Sequence, residues 1–67
     1  MNISLNGAPH STTSIRLAEL LAEYAIDPAK PGIAVAINDA IVPRAHWPTI
    51  LLQAGDSIEI VRPHSGG

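Results

Sequence analysis

The 67-residue sequence contains no cysteine and no phenylalanine, and only four of its residues are lysine or arginine. The absence of cysteine excludes disulfide bridges, thiolate metal sites and a thiol nucleophile. Six acidic residues outnumber the basic ones, and the net charge of −2 leaves no basic surface for a phosphate backbone. No run of residues approaches the ~20 apolar positions that span a bilayer. We therefore expect no nucleic-acid partner and no membrane partner.

The length and composition are typical of one small folded domain. A chain of this size buries only ~60% of the surface that its unfolded form exposes. Hydrophobic residues make up 46% of the sequence and charged residues 15%, which favours a globule over a disordered tail. The first residues carry neither a basic segment nor a long apolar stretch, so we expect no signal peptide and a cytoplasmic location.

The first half of the sequence predicts a hairpin followed by a helix. Residues 2–5 alternate between polar and apolar side chains, Asn6-Gly7 suits a tight turn, and residues 8–13 provide a short second strand whose proline favours a sheet edge. From about residue 15 the apolar spacing becomes that of a helix, with Ser14 as the predicted N-cap to within about two residues. The apolar stripe of this helix consists of Leu17, Leu20, Leu21 and Tyr24.

The second half predicts three more strands. Residues 32–38 form the clearest strand, with Ala34 and Ala36 on the face opposite the larger aliphatic side chains. Residues 40–42 return after a turn, and Trp47 is a packing anchor in the irregular stretch that follows. Residues 57–62 alternate again, and they place Val61 on the same side of the sheet as the two alanines.

This order of elements predicts an α+β fold: a mixed sheet of four to five strands with one main helix packed on one face. We expect a domain over residues 1–62 and a flexible C-terminal tail over residues 63–67. The core must be aliphatic, since the sequence holds nine Ile, six Leu and three Val. Burial of such side chains contributes roughly 1.5–3 kcal/mol each, which outweighs chain entropy only narrowly.

The side chains carry no recognisable active site. The three histidines, His10, His46 and His64, lack metal-ligand spacing and are interpreted as solvated surface residues. Glu19 and Glu23 lie four residues apart and are interpreted as a solvated helix face rather than an acid pair. No nucleophile elbow, phosphate-binding loop or dinucleotide motif is present. We therefore expect no enzyme activity, no metal and no cofactor bound by this chain.

The C-terminal residues Gly66 and Gly67 indicate where chemistry takes place. Chain ends often fray and collect small residues, but a terminal Gly-Gly pair after a committed strand favours function. Two residues without side chains can thread a narrow channel, and a terminal carboxylate is ionised at neutral pH. A partner enzyme that holds ATP and a divalent metal could convert the Gly67 carboxylate into an acyl-adenylate. Because the chain has no thiol, sulfur captured by this acyl group must end on the carboxylate itself, as a thiocarboxylate.

The uncovered face of the sheet is a candidate docking surface. Ala34, Ala36 and Val61 point away from the helix, and a smooth, weakly charged face of this kind suits a partner protein. The alternative is an ordinary antiparallel face with small side chains. Arg44 either pairs with an acidic partner surface or is a solvated charge at a strand end. Together with Ser65 in the tail, these residues make up the predicted partner-binding set.

Residues 35–47, VAINDAIVPRAHW, resemble the thiamine-biosynthesis sulfur carrier family ThiS, whose members read V-A-(V/I)-N-x-x-(I/V)-V-P-R-x-x-W. The segment Ala18-Glu19-Leu20-Leu21, the turn Gly55-Asp56 and the closing Gly66-Gly67 also lie where that family has them. The likeness covers essentially the whole chain. Its I/V-V-P-R-x-x-W part is fairly specific, whereas G-D and G-G are common to many ubiquitin-like proteins.

The resemblance implies a ubiquitin-like β-grasp fold and a carrier cycle. A ThiF-type adenylyltransferase would activate Gly67 with ATP and Mg, a sulfur donor protein would supply the sulfur, and the thiazole synthase ThiG would consume it. The ending Pro63-His64-Ser65-Gly66-Gly67 is more similar to the P-x-S-G-G of MoaD, the small subunit of molybdopterin synthase. A MoaD-like role and a ubiquitin-like protein modifier are therefore the alternatives.

Overall fold

A computed structural model describes residues 1–63 of the chain. Its α-helix, α1, covers Leu17–Glu23, and a 3₁₀ helix covers Arg44–Thr49. The strands are β1 (Asn2–Leu5), β2 (Ala8–Ser11), β3 (Ala34–Ile37), β4 (Ala40–Ile41) and β5 (Ser57–Val61). The predicted tail, apart from Pro63, lies outside the described residues.

The five strands form one mixed sheet in the order β2-β1-β5-β3-β4. β1 and β5 run parallel, whereas β2 pairs with β1, β3 with β5, and β4 with β3 in antiparallel fashion. Helix α1 covers one face through its buried leucines. The predicted α+β fold, with a mixed sheet and one main helix on one face, is confirmed.

The N-terminal hairpin forms where the alternation predicts it. Leu5 pairs with Ala8, so Asn6-Gly7 is a two-residue turn, and β2 with Pro9 lies at the edge of the sheet. An edge position tolerates Pro9 because proline has no N–H to donate to a neighbouring strand. The strand ends at Ser11 rather than at Thr13.

Helix α1 begins later than predicted. Its N-cap is Arg16, two residues after Ser14 and at the limit of the predicted margin, and the carboxylate of Glu19 accepts hydrogen bonds from the backbone N–H groups of Ile15 (2.8 Å) and Arg16 (3.0 Å). These two bonds satisfy the N–H groups of the N-cap residue and of the residue before it, and the bond to the N-cap residue is the glutamate half of a capping box. They also lower the pKa of Glu19, which is exposed as predicted but has a capping role that the sequence interpretation did not include.

The helix ends before the predicted apolar stripe is complete. Ala25 has a φ of 55°, and the N–H of Ile26 donates to the carbonyl of Leu21, an arrangement typical of a Schellman cap. Tyr24 therefore does not continue the buried stripe of the helix and is 36% exposed, whereas Ile26 is buried in the core.

The core between α1 and the sheet is aliphatic apart from one indole. Trp47 is 2% exposed, and its Nε1–H donates to the carbonyl of Val42 at 2.9 Å, which confirms its role as a packing anchor. The other buried apolar residues are Ile3, Leu17, Leu20, Leu21, Ile26, Val35, Val42, Leu52 and Ile58. Leu17, Leu20 and Ile58 are fully buried, as the sequence pattern predicts.

A polar cluster joins the end of α1 to the segment after β2. Both Thr12 and Ser14, themselves buried, donate hydroxyl hydrogen bonds to Oε2 of Glu23. His10 Nε2 lies 3.5 Å from Glu23 Oε1, and Tyr24 OH lies 3.2 Å from His10 Nδ1. Glu23 is exposed, as the sequence predicts, and His10 is half-buried, but both also take part in this cluster. Hydroxyl donors from chain positions nine and eleven residues away hold the carboxylate in place.

This cluster predicts acid sensitivity. The hydrogen bonds from Ser14 and then Thr12 hold the pKa of Glu23 below its ordinary value of 4.5, with a smaller contribution from His10. Protonation therefore favours the unfolded chain, and the stabilisation is present above about pH 4.5 and lost as pH falls through the lowered pKa. We expect Glu23→Gln to lower the thermal unfolding midpoint at neutral pH and to flatten its fall on acidification.

The matched control is Glu59→Gln, which neutralises a carboxylate on the open face of the sheet. Unfolding midpoints measured from pH 7 to about pH 3 should show the flattening in the Glu23 variant alone. An equal change of slope in both variants would contradict the assignment.

Candidate functional site

β5 leads directly towards the predicted reactive end of the chain, and it lies in the middle of the sheet. Its Ile60 pairs with Val35 of β3, and its Ile58 pairs with Leu5 of β1. The side-chain amide oxygen of Asn6 accepts the N–H of Ile60 at 2.8 Å, which extends the pairing past the end of β1. The strand is thus held along both edges, and its last residue, Val61, occupies a defined position.

The open face of the sheet carries an apolar surface. Val61 lies opposite Ala34, and Ala36 lies between Ile41 of β4 and Glu59 of β5. Directly opposed residues of antiparallel strands share one face, so these side chains lie together on the side away from α1. We call Ala34, Ala36, Ile41 and Val61 the outer patch.

The outer patch contains the predicted Val61, Ala34 and Ala36, and it adds one residue. Val61 is 60% exposed and Ile41 71% exposed, whereas Ala36 is half-buried. Ile41 was not among the partner-binding residues predicted from the sequence. Its signal was the two-residue turn Asn38-Asp39, which fixes the register that sets residue 41 against residue 36.

Arg44 binds the loop before β3. Its Nη2 donates to the carbonyl of Ile33 at 3.1 Å, and its Nη1 donates to the carbonyl of Pro28. Its guanidinium carbon also lies 4.5 Å from the ring centroid of Trp47, within the range of a cation–π contact. The structure thus gives Arg44 an internal role that neither sequence interpretation included, and its role in partner binding stays a prediction.

The last described residue packs against the same loop. A Cβ built on Gly32 would lie 3.2 Å from Cγ of Pro63 and 3.4 Å from its Cβ, so the proline ring covers the glycine. Arg62 reaches the carbonyl of Tyr24 with Nη2 at 3.5 Å. A pocket of about 270 Å³ lies between the loop and these two residues; it is lined by Ala25, Ile26, Asp27, Lys30, Pro31, Ile33, Arg62 and Pro63.

Within residues 1–63, no three histidine, aspartate or glutamate side chains are grouped to hold a metal ion. No helix in this part of the chain is long and apolar enough to cross a membrane. What the described residues supply is a firmly held strand, an apolar face beside it and a packed strand end. The predicted site residues Ser65, Gly66 and Gly67 lie outside the described residues.

Comparison with known proteins identifies relatives of the chain. The family model described as the ThiS family matches residues 3–67. The sulfur carrier protein ThiS of Escherichia coli (strain K12) is 41% identical over 42 residues, a stretch that covers 63% of this chain and 64% of that protein. The aligned stretch thus spans less than two thirds of the relative's length.

Solved structures match the fold over the whole chain. The crystal structure of a thiamine biosynthesis protein (ThiS) from Geobacter metallireducens superposes with a TM-score of 0.79, covers 100% of both chains and is 24% identical. The NMR solution structure of the thiamine biosynthesis protein from the same organism gives a TM-score of 0.81 and covers 100% of this chain and 88% of that one, also at 24% identity. The expected ubiquitin-like β-grasp fold is confirmed.

The contacts of Arg44 predict a local effect of its substitution. Lysine cannot donate two diverging hydrogen bonds while it stacks on an indole, so Arg44→Lys should lower the free energy of unfolding by about 1–3 kcal/mol. Amide hydrogen exchange of residues 28–33 should become faster, while exchange in the β1–β2 hairpin stays at its wild-type rate. Unchanged exchange in residues 28–33 would contradict the proposed anchoring.

Proposed function

The chain belongs to the ThiS family, and from this membership we propose that it is a sulfur carrier protein of thiamine biosynthesis whose reactive group is the Gly67 carboxylate. The observation that carries the proposal is the family match, which extends through Gly66 and Gly67. The chain would act as a protein co-substrate of partner enzymes and not as a catalyst. Since its cycle consumes ATP, we place it in the cytoplasm.

The first step of the proposed cycle is adenylation. A ThiF-type adenylyltransferase binds ATP and Mg, and a carboxylate oxygen of Gly67 attacks the α-phosphorus of ATP. A bond forms between this oxygen and phosphorus, the bond to the β-phosphate oxygen breaks, and pyrophosphate leaves. The product is an acyl-adenylate, in which the carbonyl carbon is open to nucleophiles.

The second step installs the sulfur. A sulfide equivalent, delivered by a sulfur donor protein, attacks the acyl carbon, and AMP leaves with the former carboxylate oxygen. Gly67 then ends in a thiocarboxylate, which the thiazole synthase ThiG uses as its source of sulfur. Because the sequence contains no cysteine, no thiol of this chain competes for the acyl group.

Two structural features support this proposal. β5 is paired on both edges, so the partner enzyme meets the tail at a defined position relative to the sheet. The outer patch, which includes Val61, gives that enzyme an exposed apolar surface to recognise, with Glu59 adjacent to it. An apolar centre with few charges is the usual composition of the buried part of a protein–protein interface.

The terminal carboxylate gives the direct test. Pyrophosphate should be released when the chain is mixed with the ThiF-type enzyme of the same organism and Mg-ATP. Deletion of Gly67 should abolish this release, because it removes the residue that carries the reacting carboxylate. Full activity of the deletion variant, at an unchanged unfolding midpoint, would refute the proposal.

Intact mass separates the carrier from the alternatives. After a sulfur donor is added, a carrier gains the mass of one oxygen-to-sulfur exchange, whereas a ubiquitin-like modifier becomes joined to another protein. The Pro63-to-Gly67 ending also favours a MoaD-like role. Sulfur transfer to a molybdopterin precursor, with none to the thiazole product in the presence of ThiG, would assign the chain to that pathway.

The outer patch predicts a binding defect without a folding defect. Val61 is 60% exposed, so Val61→Asp should leave the unfolding midpoint unchanged. An aspartate buried against the partner without a counter-charge should weaken binding to the ThiF-type enzyme at least about tenfold, as measured by titration calorimetry. Ala54→Asp adds the same charge in the turn at the opposite end of β5 and should bind normally; equal affinities of the two variants would exclude the outer patch.

A further inference from the structure

Pro63 is the last described residue before the predicted reactive tail, and its ring lies directly over Gly32. The contact is tight for a side chain, since a Cβ on Gly32 would approach Cγ of Pro63 to 3.2 Å and one of the two residues would have to move by a few tenths of an ångström. Gly32 also has a φ of 87°, where residues with a side chain are strained. The backbone of Gly32, which carries no side chain, thus contacts the residue at which the predicted tail begins.

The loop on the Gly32 side of this contact is fastened to the core. Arg44 donates to the carbonyls of Pro28 and Ile33, on either side of Gly32, and its guanidinium stacks on the buried Trp47. The pairing of Ala34 with Val61 begins two residues after Gly32. A collision between Gly32 and Pro63 is therefore relieved most easily by movement of the exposed Pro63, because the loop is held on both sides.

On this basis we propose that Gly32 is a positioning residue for the Gly67 carboxylate: the bare Gly32 backbone seats the Pro63 ring and so sets the direction in which the reactive tail leaves the sheet. The inference rests on the proposed adenylation of Gly67. Pro63 itself contributes because its ring restricts φ to about −65°, which removes one rotation at the base of the tail. The outer patch provides the affinity for the partner, and the Gly32–Pro63 contact aligns the carboxylate.

A division of roles between docking and alignment has a kinetic signature. Displacement of the tail base leaves the outer patch intact, so the KM for this chain as substrate of the ThiF-type enzyme should change less than about twofold. The misplaced carboxylate attacks ATP less often, and displacements of ~1 Å at a reacting group lower rates by up to about 100-fold. For the few tenths of an ångström that a Cβ at 3.2 Å imposes, we expect Gly32→Ala to lower kcat about three- to tenfold.

The chain offers a matched control in Gly55. It has a φ of 88°, nearly equal to that of Gly32, but a Cβ there would meet nothing within 4 Å. Gly55→Ala and Gly32→Ala thus introduce the same backbone strain, and their unfolding midpoints should fall by similar amounts. Only the Gly32 variant pushes on Pro63, so kcat for pyrophosphate release should fall in that variant alone.

A double-variant comparison assigns the effect to the proline ring. Pro63 is exposed, so Pro63→Ala should fold normally, and it removes Cγ and Cδ of the ring; the remaining Cβ of residue 63, at 3.4 Å, would be in ordinary van der Waals contact with a Cβ on Gly32. In that background Gly32→Ala should lower kcat no further than Gly55→Ala does, because the two groups act through one contact.

The kinetic experiment measures pyrophosphate release by the ThiF-type enzyme with Mg-ATP for the wild type and these four variants. Equal kcat values for Gly32→Ala and Gly55→Ala, or an undiminished effect of Gly32→Ala in the Pro63→Ala background, would overturn the inference while the proposed function stands. A wild-type chain that is not adenylated would overturn the proposed function, and the inference would fall with it.

Discussion

The pairing of β5 on both of its edges is the constraint on which the other features depend. β5 runs parallel to β1 on one side and antiparallel to β3 on the other, so its backbone is held from Ser57 to Val61. Because side chains alternate along a strand, Ile58 and Ile60 must then face helix α1 while Glu59 and Val61 face outward. The two hydrogen-bond ladders of β5 therefore set which residues enter the core, which form the outer patch, and where the tail begins. An edge strand would leave one of its sides unpaired and its end free to twist.

The sheet was predictable from the sequence, whereas the limits of the helix were not. Strand alternation and two-residue turns are local signals, and they predicted a sheet of four to five strands and the order of the elements along the chain, but not the pairing order within the sheet. The helix start depends on longer-range contacts, because the hydroxyl of Ser14, the predicted N-cap, is taken by Glu23, nine residues further on. Several polar residues precede the helix, and tertiary hydrogen bonds decide which of them becomes the cap. The same contacts join Glu23 and His10 into a cluster while Glu23 stays exposed, and no local pattern in the sequence indicates this cluster.

In the candidate site, too, some contacts follow from local sequence patterns and others do not. Val61, Ala34 and Ala36 lie together because strand alternation dictates it, and Ile41 follows from the length of the β3–β4 turn. The contact of Gly32 with Pro63 joins residues far apart in sequence and involves a glycine, which has no side chain to contribute to any periodic pattern. Arg44 is similar: a lone arginine after a proline does not indicate that its guanidinium will bridge two carbonyls and an indole. Contacts made by backbone and by single long side chains are those that pattern analysis misses.

In the proposed cycle this small chain meets an adenylating enzyme, a sulfur donor and a thiazole synthase in turn, so each complex must form and also dissociate. An outer patch of two alanines and two larger aliphatic residues limits the apolar area that any partner can bury, and small interfaces are typical of transient complexes. Weak docking alone would leave the reactive carboxylate poorly aligned, since a loosely held chain end loses the rate advantage of a fixed geometry. A strand held on both edges and a proline seated on glycine restore that alignment without enlarging the interface. Rapid exchange between partners and accurate presentation of the carboxylate can thus be combined, because different residues are responsible for each.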